Sequence, residues 1–202
     1  MNKTLLLAGV AACLFSANAN AFEATPYVSA KLRYLDMSTD VQELDLKRDV
    51  DDKVWGGSFA AGVSTKVNGG AVRAELEYNK NADAKKTHNL YGRRLVNMEI
   101  ESQSLMINGY YDIDTGSKLT PYVGAGIGYA KIKGKLSALG ESYSADDNNF
   151  AWQVGAGVGY ALNDKVSLDA GYRYVDYGDF TEEGLKWESS AHELYVGARY
   201  AF

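Results

Sequence analysis

The feature that most constrains this chain is a two-residue periodicity that recurs in eight segments, 27–36, 54–65, 71–80, 97–112, 120–133, 150–162, 166–177 and 191–202. The third is the cleanest: Val72, Ala74, Leu76 and Tyr78 alternate with Arg73, Glu75, Glu77 and Asn79. Side chains of a strand point to opposite faces in turn, so each segment has one apolar face and one face of glycine, polar or charged residues. Each is close to the roughly 9–11 residues that a tilted strand needs to cross a hydrocarbon layer. The last segment puts Leu194, Val196, Ala198, Tyr200 and Phe202 on one face and finishes on an aromatic ring. In a bilayer no strand edge can stay open, so such a strand is expected to be the seam that closes a barrel.

The links between segments separate a barrel from a sandwich. Residues 66–70, with an Asn68-Gly69 hairpin signal, 112–119 and 163–165 are short links, whereas 37–53, 81–96, 134–149 and 178–190 are long ones. Short and long alternate strictly. A single all-β domain, an eight-stranded antiparallel transmembrane up-and-down β-barrel, accounts for that order, with short turns and both termini on the periplasmic side and long loops outside. Aromatic residues fall at two levels. Tyr34, Trp55, Tyr78, Tyr129, Phe150, Trp152 and Tyr174 lie near the long links, and Tyr111, Tyr160, Tyr200 and Phe202 near the short ones. Two such belts are expected where amphipathic rings meet two membrane interfaces.

The N-terminus carries its own signal. Lys3, an apolar run over 5–15 and the small residues Ala19 and Ala21 read as a secretory signal peptide over 1–21, leaving 22–202 as the barrel. Cys13, the single cysteine, also loosely fits a lipid-attachment box, against which the apolar run continues past it. With residues 1–21 removed no cysteine remains, so disulfides, thiol catalysis and cysteine-based metal sites drop out. The net charge of -5 argues against nucleic acid as a partner. No stretch of about 20 apolar residues exists, which excludes a helical span but not a barrel, whose strands expose only alternate residues to lipid.

The run Pro121-Tyr-Val-Gly-Ala-Gly-Ile-Gly-Tyr129, the run Gly155-Ala-Gly-Val-Gly-Tyr160, the segment Leu168-Asp-Ala-Gly-Tyr-Arg-Tyr174 and the terminal Tyr200-x-Phe202 resemble the small outer-membrane β-barrel family. That family includes opacity-protein-like surface antigens and the OmpA transmembrane domain. The resemblance covers 22–202 and implies residence in the outer membrane of a Gram-negative bacterium. It is specific for fold and place and weak for function, because the family holds adhesins, anchors and proteins of unassigned role. Unlike full-length OmpA, this chain is expected to lack a peptidoglycan-binding domain.

The candidate sites follow from the inward face. Lys31, Arg33, Arg73, Glu75, Glu77, Asp169, Arg173, Glu193 and Arg199 all take that parity. Isolated buried charges are prohibitive, so they are expected to pair across the lumen, Arg173 with Glu75 or Glu77 and Arg199 with Asp169. Such a network reads as a plug, with a small passive pore as the alternative. The glycine runs lack the strand-then-helix context of a nucleotide fingerprint and are expected to make room for long side chains from the facing wall. Lys85, Lys86, Arg93 and Arg94 form a basic extracellular loop suited to lipopolysaccharide phosphates or a host or matrix anion, opposite acidic first and last loops. Tyr200 and Phe202 are the candidate signal for the outer-membrane assembly machinery. Ser190 and His192, with Glu188, are the candidate for a lipid-modifying enzyme, although no nucleophile motif accompanies them. The overall expectation is a monomeric, non-enzymatic surface antigen or adhesin, with no cofactor and no metal site.

Overall fold

The computed structural model describes the backbone of residues 24–43, 46–82, 84–90, 93–138, 141–182 and 185–202, and the side chains of 24–36, 53–82, 102–131, 149–178 and 190–202. Residues 1–21, Cys13 among them, lie outside it. Nine strands run antiparallel: β1 (Ala24–Glu43), β2 (Leu46–Val67), β3 (Gly70–Asn81), β4 (Ala84–Leu90), β5 (Arg93–Ile113), β6 (Leu119–Ala138), β7 (Glu141–Ala161), β8 (Val166–Glu182) and β9 (Leu185–Ala201). β1 pairs with β9 and β3 with β5, so the sheet closes on itself as an eight-stave barrel, and β4 continues the stave of β3. The last strand is the seam. It pairs with β1 from Tyr27–Ala201 to Gln42–Lys186, and Phe202 N–H donates to the Pro26 carbonyl at 3.1 Å.

The barrel is inside out. Phe59, Leu32, Ile107, Val123, Ile127, Leu194 and Val196 are exposed on its outer wall, while Arg33, Glu75, Glu77, Arg173 and Glu193 are buried within. A hydrocarbon surround makes that arrangement favourable, since lipid replaces the core as the apolar environment. Tyr34–Trp55, Tyr129–Phe150 and Trp152–Tyr174 ring pairs, 5.2, 6.4 and 5.6 Å between centroids, mark one rim. The Tyr200–Phe202 pair, at 5.3 Å, marks the other. On that second rim the Asn68-Gly69 turn joins β2 to β3, with Gly69 at φ 84° in the left-handed region that glycine adopts without strain.

The long links are largely not loops, which corrects the sequence reading. β1 and β2 stay paired as far as Glu43–Leu46, β6 and β7 as far as Ala138–Glu141, and β8 and β9 as far as Glu182–Leu185. Residues Lys85 and Lys86 lie on β4, and Arg93 and Arg94 on β5. Periodicity missed these extensions because beyond the membrane both faces of a ribbon are wet. Apolar alternation then disappears, while backbone pairing within each hairpin continues and water can satisfy the groups left on open edges. The closed ring nevertheless ends at the aromatic rim. Pairing between β2 and β3 stops at Gly56–Asn81, beside Trp55, and pairing between β7 and β8 stops at Trp152–Asp176. Above that level the staves form two four-stranded sheets, β2-β1-β9-β8 and β4-β5-β6-β7. Open edges are tolerable there and not in hydrocarbon.

Candidate functional site

The lumen is built by one face of every stave. On β3, Arg73, Glu75, Glu77, Asn79 and Asn81 are all buried, and on β1, two staves away across β2, Tyr27, Ser29, Lys31 and Arg33 are buried too. β8 contributes Asp169 and Arg173, and β9 contributes Tyr195 and Glu193. Arg173 reaches across to Glu77, Nη1 to Oε2 at 2.8 Å, and also to Glu193 at 2.6 Å. Lys31 Nζ lies 3.0 Å from Glu75 and 3.3 Å from Glu77, and Arg33 lies 2.9 Å from Glu193. These six side chains form one chain of ion pairs, Glu75–Lys31–Glu77–Arg173–Glu193–Arg33. A second group sits nearer the short turns: Arg73 holds Asp112 at 2.8 Å, and Arg199 lies 3.2 Å from Asp169 and 3.7 Å from Asp112. Among the described residues the two groups together set five cations against five carboxylates.

Neutral groups complete the network. Asn108 Nδ2 donates to Glu77 at 2.8 Å, and its carbonyl accepts from Gln153 Nε2 at 2.6 Å. Asn79 accepts from Arg173 at 3.2 Å, Asn81 accepts from Arg33 at 2.6 Å, and Tyr27 O–H donates to Glu75 at 3.0 Å. Lumen tyrosines lie between the two charge groups and offer ring faces to both. The Arg73 guanidinium is 4.5 Å from the Tyr110 ring centre and 4.9 Å from that of Tyr122, while Lys31 is 5.6 Å and Arg173 5.5 Å from that of Tyr195. The Tyr122 and Tyr195 hydroxyls meet at 3.0 Å.

The glycines serve the adjacent strand rather than the facing wall, which corrects the expectation from sequence. Tyr27 is registered opposite Gly62, Tyr110 opposite Gly124, Tyr122 opposite Gly157 and Tyr195 opposite Gly171. A methyl group at Gly62, Gly124, Gly157 or Gly171 would lie 2.2–2.6 Å from its tyrosine ring. Lys31 and Arg173 lie in the same way over Gly197 and Gly155. A long inward side chain thus lies along the wall over the bare backbone of its cross-strand partner, because a narrow barrel has no room for it to stand upright.

Two features of the lumen escaped sequence reasoning. Asp112 has the inward parity of Asn108 and Tyr110, yet its place at a strand end made it look like part of a turn. The second is apolar. One or two inward steps from Arg33, Asn108, Gln153, Arg173 and Glu193 toward the long hairpins come Leu35, Met106, Ala151, Val175, Tyr177 and Ala191, which with Ala130 form a buried cluster. It caps the charge network on the hairpin side. A break in polarity at a constant inward parity was the available signal.

The other sequence candidates are not brought together. His192 is exposed on the outer wall, where its Nδ1 shares a hydrogen bond with the Tyr172 hydroxyl and its ring stacks on Tyr172 at 5.9 Å. Among the described residues no hydrogen bond joins His192 to Ser190. The side chains of Glu188, Lys85, Lys86, Arg93 and Arg94, and those of the acidic outer segments, lie outside the described residues. Among the described residues no group of histidine, cysteine, aspartate and glutamate fits a metal ion.

Comparison with known proteins agrees with this architecture. The crystal structure of Neisserial surface protein A matches 89% of this chain and 99% of its own at a TM-score of 0.62 and 24% identity. Ail of Yersinia pestis, solved in complex with the heparin analogue sucrose octasulfate, matches 88% of this chain and 99% of its own at a TM-score of 0.54 and 16% identity. At those identities the likeness is one of fold. In sequence, the outer membrane protein PagN of Salmonella typhimurium is 33% identical over 125 residues, 53% of this chain and 52% of that protein. Opacity protein opA67 of Neisseria gonorrhoeae is 28% identical over 150 residues, 58% of this chain and 63% of that protein. The matches thus span between half and two thirds of these curated relatives. The family described as outer membrane protein beta-barrel domain matches residues 5–202, and the chain belongs to that family of Gram-negative outer-membrane β-barrels.

Proposed function

We propose that this protein is a non-conducting outer-membrane barrel that acts through its protruding hairpins as a surface antigen or adhesin, without enzymatic activity. The observation that carries the reading is the filled lumen: five cations and five carboxylates, all paired and all buried except the half-buried Arg199, beneath an apolar cap. Ions would have to break these pairs to pass, and an apolar constriction resists wetting. What remains available for function is the pair of sheets above the rim. In this reading residues 1–21 are removed on export, both termini are periplasmic, Tyr200 and Phe202 engage the assembly machinery, and the barrel works as a monomer. The resemblance to PagN and the opacity proteins supports a surface role, and the Ail complex with a heparin analogue supports anions as ligands of such surfaces. Lys85, Lys86, Arg93 and Arg94 would then meet lipopolysaccharide phosphates or a host anion.

Planar-bilayer recording of the purified barrel tests the closed lumen. The expected outcome is no steady conductance, with binding to whole host cells lost when β4 and the start of β5 are replaced by a short turn. A stable, ion-selective conductance from the unmodified protein would overturn the reading in favour of a pore.

A further inference from the structure

Where the ring of staves splits, two strands are left with a free edge toward each other. β7 is paired with β6 throughout, but with β8 only up to Trp152–Asp176, and Gly178 still lies against the Phe150 carbonyl, so among the described residues Glu141–Asn148 has one unpaired side. β8 is deflected at the same level. Its register with β9 slips between Asp176 and Asp179, Gly178 takes φ 78°, and the Asp176 carboxylate accepts the Gly178 N–H at 2.8 Å to hold the kink. Bulges of this kind re-aim a strand and end pairing. The resulting slot lies outside the hydrocarbon, since its floor, where Gly178 meets the Phe150 carbonyl, is beyond Trp152 and Tyr174 of the aromatic rim.

Composition then says what the slot fits. The β7 edge carries Glu141, Asp146 and Asp147, the β8 edge carries Asp176, Asp179 and Glu182, and neither 141–152 nor 174–182 contains Lys or Arg. The other open seam differs, because β2 mixes Lys47, Arg48 and Lys53 with Asp49, Asp51 and Asp52, and β4 brings Lys85 and Lys86. Unpaired backbone groups on a sheet edge are satisfied by an added strand, and flanking charge selects which strand. We propose that the β7–β8 slot captures an extended, lysine- or arginine-rich segment of a partner protein by strand addition. Main-chain hydrogen bonds to the β7 edge supply the pairing, and the carboxylates along both edges supply the selectivity. The proposal rests on the surface-protein reading only for the partner's whereabouts, not for the binding itself.

The full chain in zwitterionic lipid nanodiscs, with empty discs as control, provides the test. The probe is a ten-residue peptide alternating Lys and Val. Three comparisons accompany it: the same peptide N-methylated at alternate residues, a Glu-Val counterpart, and the variant Asp146→Asn/Asp147→Asn/Asp179→Asn/Glu182→Gln. At low salt the Lys-Val peptide is expected to bind and to slow amide exchange in 141–148. N-methylation is expected to weaken it about tenfold or more, and the fourfold variant about tenfold, since exposed charges contribute a few tenths of a kcal/mol each. The Glu-Val peptide is expected not to bind. Equal binding of the N-methylated peptide would overturn strand addition, and equal binding by the fourfold variant would overturn the charge selection. Protection of the same amides in concentrated protein without peptide would make a second copy the occupant and refute the proposal. Protease shaving of intact cells separately reads whether the slot faces outward, so a failure of the surface reading leaves a different signature.

Discussion

Glu77 is the side chain on which the lumen network most depends, and replacing it by alanine gives a magnitude that can be worked out. It is fully buried, with Arg173 at 2.8 Å, Lys31 at 3.3 Å and Asn108 Nδ2 at 2.8 Å. Removing it leaves Lys31 with Glu75 and Arg173 with Glu193, orphans one Asn108 donor, and gives the lumen one uncompensated positive charge. Breaking a buried pair from one side typically costs about 3–5 kcal/mol, because the desolvated partner keeps its charge and loses its compensation. At about 1.4 kcal/mol per factor of ten, the folded fraction relative to unfolded should fall by about a hundred-fold to several thousand-fold. Reversible urea unfolding in lipid vesicles, followed by heat-modifiable gel migration and by the fluorescence of Trp55 and Trp152, measures this. Glu77→Gln with Arg173→Met keeps most of the volume, leaves Lys31 with Glu75 and Arg33 with Glu193, restores neutrality and should recover a large part of the loss. A cost below about 1 kcal/mol for Glu77→Ala, the range of exposed pairs, would show that water screens the network and that the lumen is not sealed.

The glycine couples give a paired test: Gly124→Ala drives a methyl group 2.2 Å from the Tyr110 ring and should destabilise by about 1–3 kcal/mol, whereas Gly109→Ala, with nothing within 4 Å, should be neutral or slightly stabilising in the same unfolding assay. Neutralising Lys85, Lys86, Arg93 and Arg94 together should weaken binding of phosphorylated lipid A without impairing barrel assembly. The difference should shrink as salt rises, measured by equilibrium binding to lipid A vesicles at several ionic strengths.

Much of this protein was legible in its sequence because a membrane barrel writes its geometry in a short period. Alternation over 71–80 puts Arg73, Glu75 and Glu77 on one face regardless of how the strand is placed, and a hydrocarbon surround leaves only one face for them. The strict order of short and long links then gives strand number and closure, and the aromatic rows give the two rims. Parity with strand order puts Arg173 within reach of Glu75 or Glu77 and Arg199 near Asp169, but the remaining pairings depend on the stagger between neighbouring staves, and only the closed ring brings Arg173 to both Glu77 and Glu193. It also cannot say where a strand stops once water bathes both faces, so the extensions of β1, β2 and β5 to β9 were hidden behind charged residues that read as loops. The tyrosine–glycine couples and the apolar cap are tertiary for the same reason. Tyr110 and Gly124 lie on different strands whose opposition is set by register, and Leu35, Met106 and Tyr177 meet only because six staves bring that level of the lumen together.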